Sequence, residues 1–365
     1  MPHRVSIDAA EAHILPTKHR KDINLPQQMI DEARQPQRIP FSAEKHLRFQ
    51  EPEKIHTTQE LGLGKVGISD HAVTEPFSIF TPEAIQQIRA EIFSDEVLNQ
   101  HYCPTSPTSG QIRGHCPTAA PFTYAAWTSP EVVAWVSKMA GVELVPAIDY
   151  DIGHVNIALP KPDGVEEKIV APGEQKEGEV SEYCESAFGW HTDSYAFVCV
   201  AMLSDCTGMV GGETFIRTGT GEVMKARGPQ LGTAVVMQGA YLPHQATAAR
   251  GNHERISMVT SWRPKCPLMK DHTMMRGTKN ISHLPMLYHQ YAEYRMENLE
   301  ERVRREARSL RKRRALEPEK FDVVRMRTWL EEQRDYIDDM LRELQVDRRV
   351  LGSELRRDSG VVEDL

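Results

Sequence analysis

The chain lacks most of the features that would fix its class at a glance. Its six cysteines (Cys103, Cys116, Cys184, Cys199, Cys206 and Cys266) form no CxxC pair and no zinc-ligand spacing, which excludes zinc-ribbon and thioredoxin-type readings and leaves them as small buried hydrophobes. The longest uninterrupted apolar run, Tyr195 to Leu203, is nine residues, about half of the roughly 20 that a membrane-spanning helix needs. No transmembrane helix is expected. The opening MPHRVSIDAAEAHILPTKHRKD contains no apolar stretch of the kind found in secretory signals, so a cytoplasmic location is the expectation. Positive charge is not in excess: 44 Lys and Arg stand against 52 Asp and Glu, a net charge of −8. Nucleic acid and anionic membrane are therefore not expected as partners. No internal repeat is visible. The glycine clusters at 211–213 and 219–221 lack the lysine and helix context of a phosphate loop.

What the chain does have is the composition of a globular protein, with 40% apolar and 26% charged residues over 365 positions, enough for one or two domains. Residues 1–64 are polar and proline-punctuated and read as an arm, with a short helix near 27–33. KVGISDHAV looks like a strand. Two helices announce themselves by their ends: Thr81 then Pro82 opens one over 82–93, and Ser129 then Pro130 opens another that Gly141 stops. The intervening 103–127, rich in Pro, Thr, Ser and Gly, reads as a loop.

From Val142 to Pro264 short β-type runs alternate with turn residues. Strands are expected near 147–158, 187–191, 196–203, 213–217, 222–226, 233–238, 241–247 and 255–262. Eight strands suit a jelly-roll barrel. The polar 160–186 interval is too long for a hairpin and is a candidate lid. After Pro267 the pattern turns helical, over about 286–316 and, past Pro318, 319–344. Residues 295–314 carry nine basic and four acidic side chains, and 317–343 nine acidic and five basic, so an antiparallel hairpin would pair them. Leu287, Tyr291 and Tyr294 on one helix, and Trp329, Tyr336 and Leu341 on the other, need a surface to bury them.

The chemistry concentrates in a few positions. His191 and Asp193 flank Thr192 at the end of a strand, where residues two apart project from one face. His244 follows Asp193 by 51 residues, room for the intervening strands. Two imidazoles and a carboxylate on one side of a metal form the facial triad of non-haem Fe(II) sites, which leaves positions open for other ligands; zinc prefers closed tetrahedra. Arg255 and Ser257 share a strand face, and a guanidinium fork beside a hydroxyl suits a carboxylate, with 2-oxoglutarate the expected guest. Asn156 lies on one expected strand face with Tyr150, Ile152, His154 and Ala158; His154 is expected to be a core histidine.

These residues together resemble the iron(II)/2-oxoglutarate-dependent oxygenases: H-T-D at 191–193, the distal His244, and R-I-S at 255–257. More narrowly, WHTDSYAFVCVAMLSDCTGMVGGETFIRTGTGEVMKARGPQLGTAVVMQG followed by RISMVTSWRP is similar to a mostly fungal branch acting in secondary metabolism. The likeness spans about 66–267. It implies a double-stranded β-helix domain over 65–267, mainly β with helices, between the N-terminal arm and a C-terminal helical extension at 268–365. It further implies Fe(II) on His191, Asp193 and His244, and the cosubstrates 2-oxoglutarate on Arg255, Ser257 and Asn156, and O2. Relatives with an Asn-x-Tyr pair have Tyr where Ala158 stands, which weakens the Asn156 contact. The implied activity is a dioxygenase attacking a C–H bond of a small molecule, by hydroxylation, desaturation or ring closure. Arg113 is a candidate for a substrate carboxylate, so an amino acid or a metabolite derived from one is expected. A homo-oligomer through the C-terminal helices is a further expectation. Two alternatives stay open: an iron oxidase in which Arg255 holds the substrate itself, and a catalytically silent barrel serving as an interaction module.

Overall fold

The computed structural model describes residues 23–106, 109–159, 188–211, 213–226, 230–246, 249–250, 254–275 and 278–346; the candidate lid and Cys184 lie outside them. The N-terminal segment is more than an arm. After α1 (Gln27–Arg34) and α2 (Ala43–His46), β1 (Leu47–Gln50) and β2 (Ile55–Thr57) pair antiparallel with β4 (Phe77–Phe80) and β3 (His71–Thr74) respectively. The helix α3 (Pro82–Ile92) starts where its signals place it, with the Thr81 side chain accepting from the Ala84 N–H.

The stretch 103–127 is the first correction. After α4 (Asp95–His101), whose Ser94 cap accepts from the Val97 N–H, β5 (Tyr102–Ser106) and β6 (Ser109–Ile112) form a hairpin, and α5 (Pro121–Thr128) follows. Gly110 lets the hairpin form, because any Cβ there would collide with the Tyr102 ring lying across it. No side chain caps α5, so its start carries no sequence signal beyond Pro121. The next helix, α6 (Pro130–Ala140), is capped by Ser129 and stopped by Gly141 at φ +68°. A second correction concerns 147–158: β7 (Leu144–Pro146) ends before it, a 3-10 turn occupies Asp149–Asp151, and only β8 (His154–Ala158) is strand.

The remaining strands are β9 (Phe188–His191), β10 (Phe197–Met202), the short β11 (Val210–Gly211), β12 (Thr214–Arg217), β13 (Val223–Ala226), β14 (Thr233–Met237), β15 (His244–Ala246), the short β16 (Ala249–Arg250) and β17 (Arg255–Pro264); all fall within a few residues of expectation except β11 and β16, which have no expected counterpart. Apart from the isolated β11–β16 pair, they build two antiparallel sheets. The larger runs β1-β4-β14-β10-β17-β8-β6-β5 and the smaller β13-β12-β15-β9. Along the chain the strands cross between them, β8, β10, β14 and β17 joining the larger, and β9, β12, β13 and β15 the smaller. No ladder closes the two sheets onto each other among the described residues.

Period-2 alternation divides the large sheet into two faces. Phe197, Cys199, Ala201, Ile256, Met258 and Trp262 pack outward in one apolar cluster with Ile88, Trp127, Val132 and Val136 from the helices. Val198, Ile216, Met237 and Leu242 form a separate cluster between the sheets. A third cluster joins the C-terminal helices α7 (Leu284–Leu316) and α8 (Val323–Glu343) to the body: Tyr150 and Tyr195 pack with Leu287, Tyr288, Tyr291, Tyr294, Tyr336 and Met340. Arg295 is fully buried there, its guanidinium 3.4 Å from the Tyr336 ring centroid and donating to the carbonyls of Asp271 and Tyr336. Among the positions expected to need cover, Leu341 stays 68% exposed and Trp329 is only half-buried.

Candidate metal centre

His191 ends β9 and His244 begins β15, and the two are direct partners in the antiparallel ladder of the small sheet. That register alone brings the rings together, with centroids 4.4 Å apart. Asp193 lies two residues beyond, where the chain crosses to the large sheet. Its Oδ1 is 3.6 Å from His191 Nε2 and its Oδ2 3.6 Å from His244 Nε2. One ligand atom from each of the three lies within 4.8 Å of the others, so a single cation could touch all three.

The backbone selects which imidazole nitrogen faces inward. His191 Nδ1 is 2.7 Å from the Gly189 carbonyl, and His244 Nδ1 is 2.8 Å from the Leu242 carbonyl. A carbonyl only accepts, so each Nδ1 carries the proton and each Nε2 presents its lone pair to the centre. The Asp193 N–H donates to the Gly239 carbonyl at 2.9 Å, and its Oδ2 is buried with no hydrogen-bond partner. A buried, unpaired carboxylate oxygen beside two inward lone pairs is a poor arrangement for an empty core and a good one for a cation.

Charge in the cluster is strongly coupled. Burial works against protonation of His191, but the Asp193 carboxylate beside it prevails and raises its pKa. Burial also opposes the ionised form of Asp193, yet the two imidazoles hold its pKa below the usual value. For the more enclosed His244, burial outweighs Asp193 and lowers the pKa. The carboxylate is thus the anionic anchor of the set.

Gly239 is a residue that the sequence did not single out. Its φ is not in the left-handed region, so the backbone does not demand glycine. Space does: a Cβ at this position would collide with Asp193 Oδ2. The turn it belongs to is held by Tyr241 and Leu242 N–H donating to the Gln238 carbonyl, and it leads directly to His244. One turn therefore seats two of the three ligands. A glycine with no apparent turn duty was its only sequence signal.

On β17, Arg255 is buried and its Nη1 is 3.3 Å from Ser257 Oγ. Burial lowers the pKa of its guanidinium, with Cys206 nearby acting the other way. Asn156 on β8 is the direct cross-strand partner of Ser257, and its Oδ1 is buried without a hydrogen-bond partner. Arg255, Ser257 and Asn156 therefore gather on the inward face of the large sheet, as expected. His154 is half-buried, with Nε2 3.3 Å from Gln111 Oε1, and burial drives its pKa well down; it lies on the same inward face as Asn156 rather than in the apolar core.

Arg113 is on a loop, as its glycine-rich surroundings suggest, but it is not at the surface. It is buried just past β6 and ion-paired with Asp151, its guanidinium 5.8 Å from the Tyr150 ring centroid. Burial pushes the Tyr195 hydroxyl far up, and the charge of Asp151 adds to the shift. The Arg113–Asp151 pair thus lies beside Tyr195, and this pairing was also invisible in the sequence.

No family model matches the chain, and no curated protein does. Solved structures do resemble it. An oxidoreductase of the 2OG-Fe(II) oxygenase family from Burkholderia pseudomallei is 17% identical over 44% of this chain and 71% of its own, with a TM-score of 0.32. A prolyl-4-hydroxylase from Pseudomonas putida is 16% identical over 51% of this chain and 88% of its own, at 0.31. The epimerase SnoN in complex with Fe3+, alpha ketoglutarate and nogalamycin RO is 12% identical over 50% of this chain and 75% of its own, at 0.34. Scores this low leave the chemistry of the chain to be read from its own side chains.

Proposed function

We propose that the protein is a non-haem Fe(II)/2-oxoglutarate-dependent dioxygenase acting on a C–H bond of a small molecule. The observation that carries this reading is the His191–Asp193–His244 cluster, with both Nε2 atoms turned inward and an unpartnered carboxylate oxygen between them. The crossing of eight strands between two sheets supports a double-stranded β-helix for 65–267, with the arm and the C-terminal helices as additions. Iron bound there, together with 2-oxoglutarate and dioxygen, would supply oxidative decarboxylation of the keto acid and removal of hydrogen from the substrate.

The chain's own part is to bind and orient. The carbonyls of Gly189 and Leu242 hold the imidazoles in the ligating tautomer. Arg255 would take the distal carboxylate of 2-oxoglutarate through its fork, with Ser257 Oγ and the Asn156 amide as further contacts. Burial of Arg255 strengthens such a pair, because the anion meets less competition from water. Val198, Met237 and Leu242 wall the space between the sheets with apolar surface and limit that water. Arg113 and Asp151 are the proposed contacts for the polar group of a substrate, an amino acid or a compound derived from one.

The test is succinate formation coupled to substrate loss across amino acids, diketopiperazine-like compounds and terpenoids, with and without added 2-oxoglutarate. Turnover that ignores 2-oxoglutarate would overturn the cosubstrate assignment. Turnover confined to carboxylate-free compounds and unchanged by Arg113→Ala would overturn the substrate assignment.

A further inference from the structure

The distal half of the C-terminal hairpin stands clear of both sheets, and between Glu306 and Gln333 no residue is fully buried. Six apolar side chains line it. Met296, Val303 and Leu310 lie seven apart on α7, and Val323, Leu330 and Ile337 seven apart on α8. Leu310 is half-buried, and the other five are 41% to 57% exposed.

Contacts between the helices fix the levels of these residues. Arg295 donates to the Tyr336 carbonyl at 2.9 Å, and Arg325 forks onto the Glu306 carboxylate at 2.7 and 2.6 Å. That register sets Met296 beside Ile337, Val303 beside Leu330 and Leu310 beside Val323. The two rows also share a side. Met296 and Val303 each follow a buried residue packed against α8, Arg295 and Arg302, by one position, about 100° of rotation. Ile337 follows Tyr336 of α8, packed against α7, in the same way. Two antiparallel helices are related by a two-fold axis normal to their common plane, so equal rotations in one sense bring both rows to the same side. The result is a seam three layers deep and about 20 Å long, with the seven-residue period of helices that pack on helices.

We propose that this seam is the interface with a second copy of the chain, closing a four-helix bundle. Charge on the page favours that occupant. The α7 side is basic, nine to four over 295–314, and the α8 side acidic, nine to five over 317–343. A two-fold axis along the bundle places each α7 between its own α8 and that of the other copy, so every adjacent pair is antiparallel and opposite in charge. The hairpin is complementary to itself in both apolar pattern and charge.

Light scattering on the full-length protein at high micromolar concentration tests this. The expected mass is twice that of the 41.4 kDa chain. Val303→Glu with Leu330→Glu, and separately the milder Val303→Gln with Leu330→Gln, should each halve it while helicity is kept. A wild-type monomer would give the seam to another occupant and overturn the proposal. So would a dimer that survives in both variants.

Discussion

The two faces of β17 do opposite things with one stretch of sequence. Ile256, Met258 and Trp262 point outward, are fully shielded from solvent and pack against the helices. Arg255 and Ser257 point inward, beside an Asn156 whose buried Oδ1 lacks a partner. The outer face is held mainly by packing, although the Trp262 indole N–H is also buried without a partner, whereas the inner face and the triad beyond it gather several buried polar atoms that packing cannot satisfy. Groups of that kind lower stability unless a ligand completes them. The outer row therefore reads as structure and the inner row as function, and substitutions on the two should separate into different measurements.

The largest effect is expected at the triad. His191→Ala, Asp193→Ala or His244→Ala should each abolish stoichiometric iron binding and turnover while leaving the metal-free chain folded, since none of the three belongs to an apolar cluster. Iron analysis beside thermal melting checks both halves. On the outer face, Trp262→Ala should lower folding stability by about 3–5 kcal/mol, read from denaturant melts, with iron content per folded chain unchanged. Arg255→Lys keeps charge and loses the fork, so 2-oxoglutarate affinity should drop by roughly 1.5–3 kcal/mol. An unchanged 2-oxoglutarate affinity together with a weakened substrate would favour the oxidase reading. The smallest effect is assigned to Gly239→Ala, which should weaken iron binding about 10- to 100-fold, the range for residues that orient metal ligands. If it cost stability and spared iron, Gly239 would belong with the outer face.

The sequence disclosed features that are local or periodic. Thr81 with Pro82 and Ser129 with Pro130 and Gly141 are self-contained signals, and the structure reproduces both helices. The R-x-S face was legible because alternation along a strand is set by the backbone; His191, Asp193 and His244 were legible as a set only through the likeness, since β9 ends at His191 and cross-strand register brings His244 to it. Contacts distant in sequence were not legible. The 103–127 segment reads as a loop until the Tyr102 ring is seen lying over Gly110, and β6 is seen paired with β8. Arg113 could not be placed without Asp151, 38 positions away. Gly239 looks like punctuation, because its reason is a carboxylate from another strand end. Leu341 reads as a buried hairpin position, and its exposure shows that α8 turns part of its apolar surface outward.

The account rests on one centre holding metal and keto acid together. Calorimetric titration of 2-oxoglutarate into the anaerobic protein, with and without one equivalent of Fe(II), addresses that directly. The expected result is one saturable keto-acid site per chain that tightens sharply when iron is present. Binding indifferent to iron, or no saturable site at all, would contradict it.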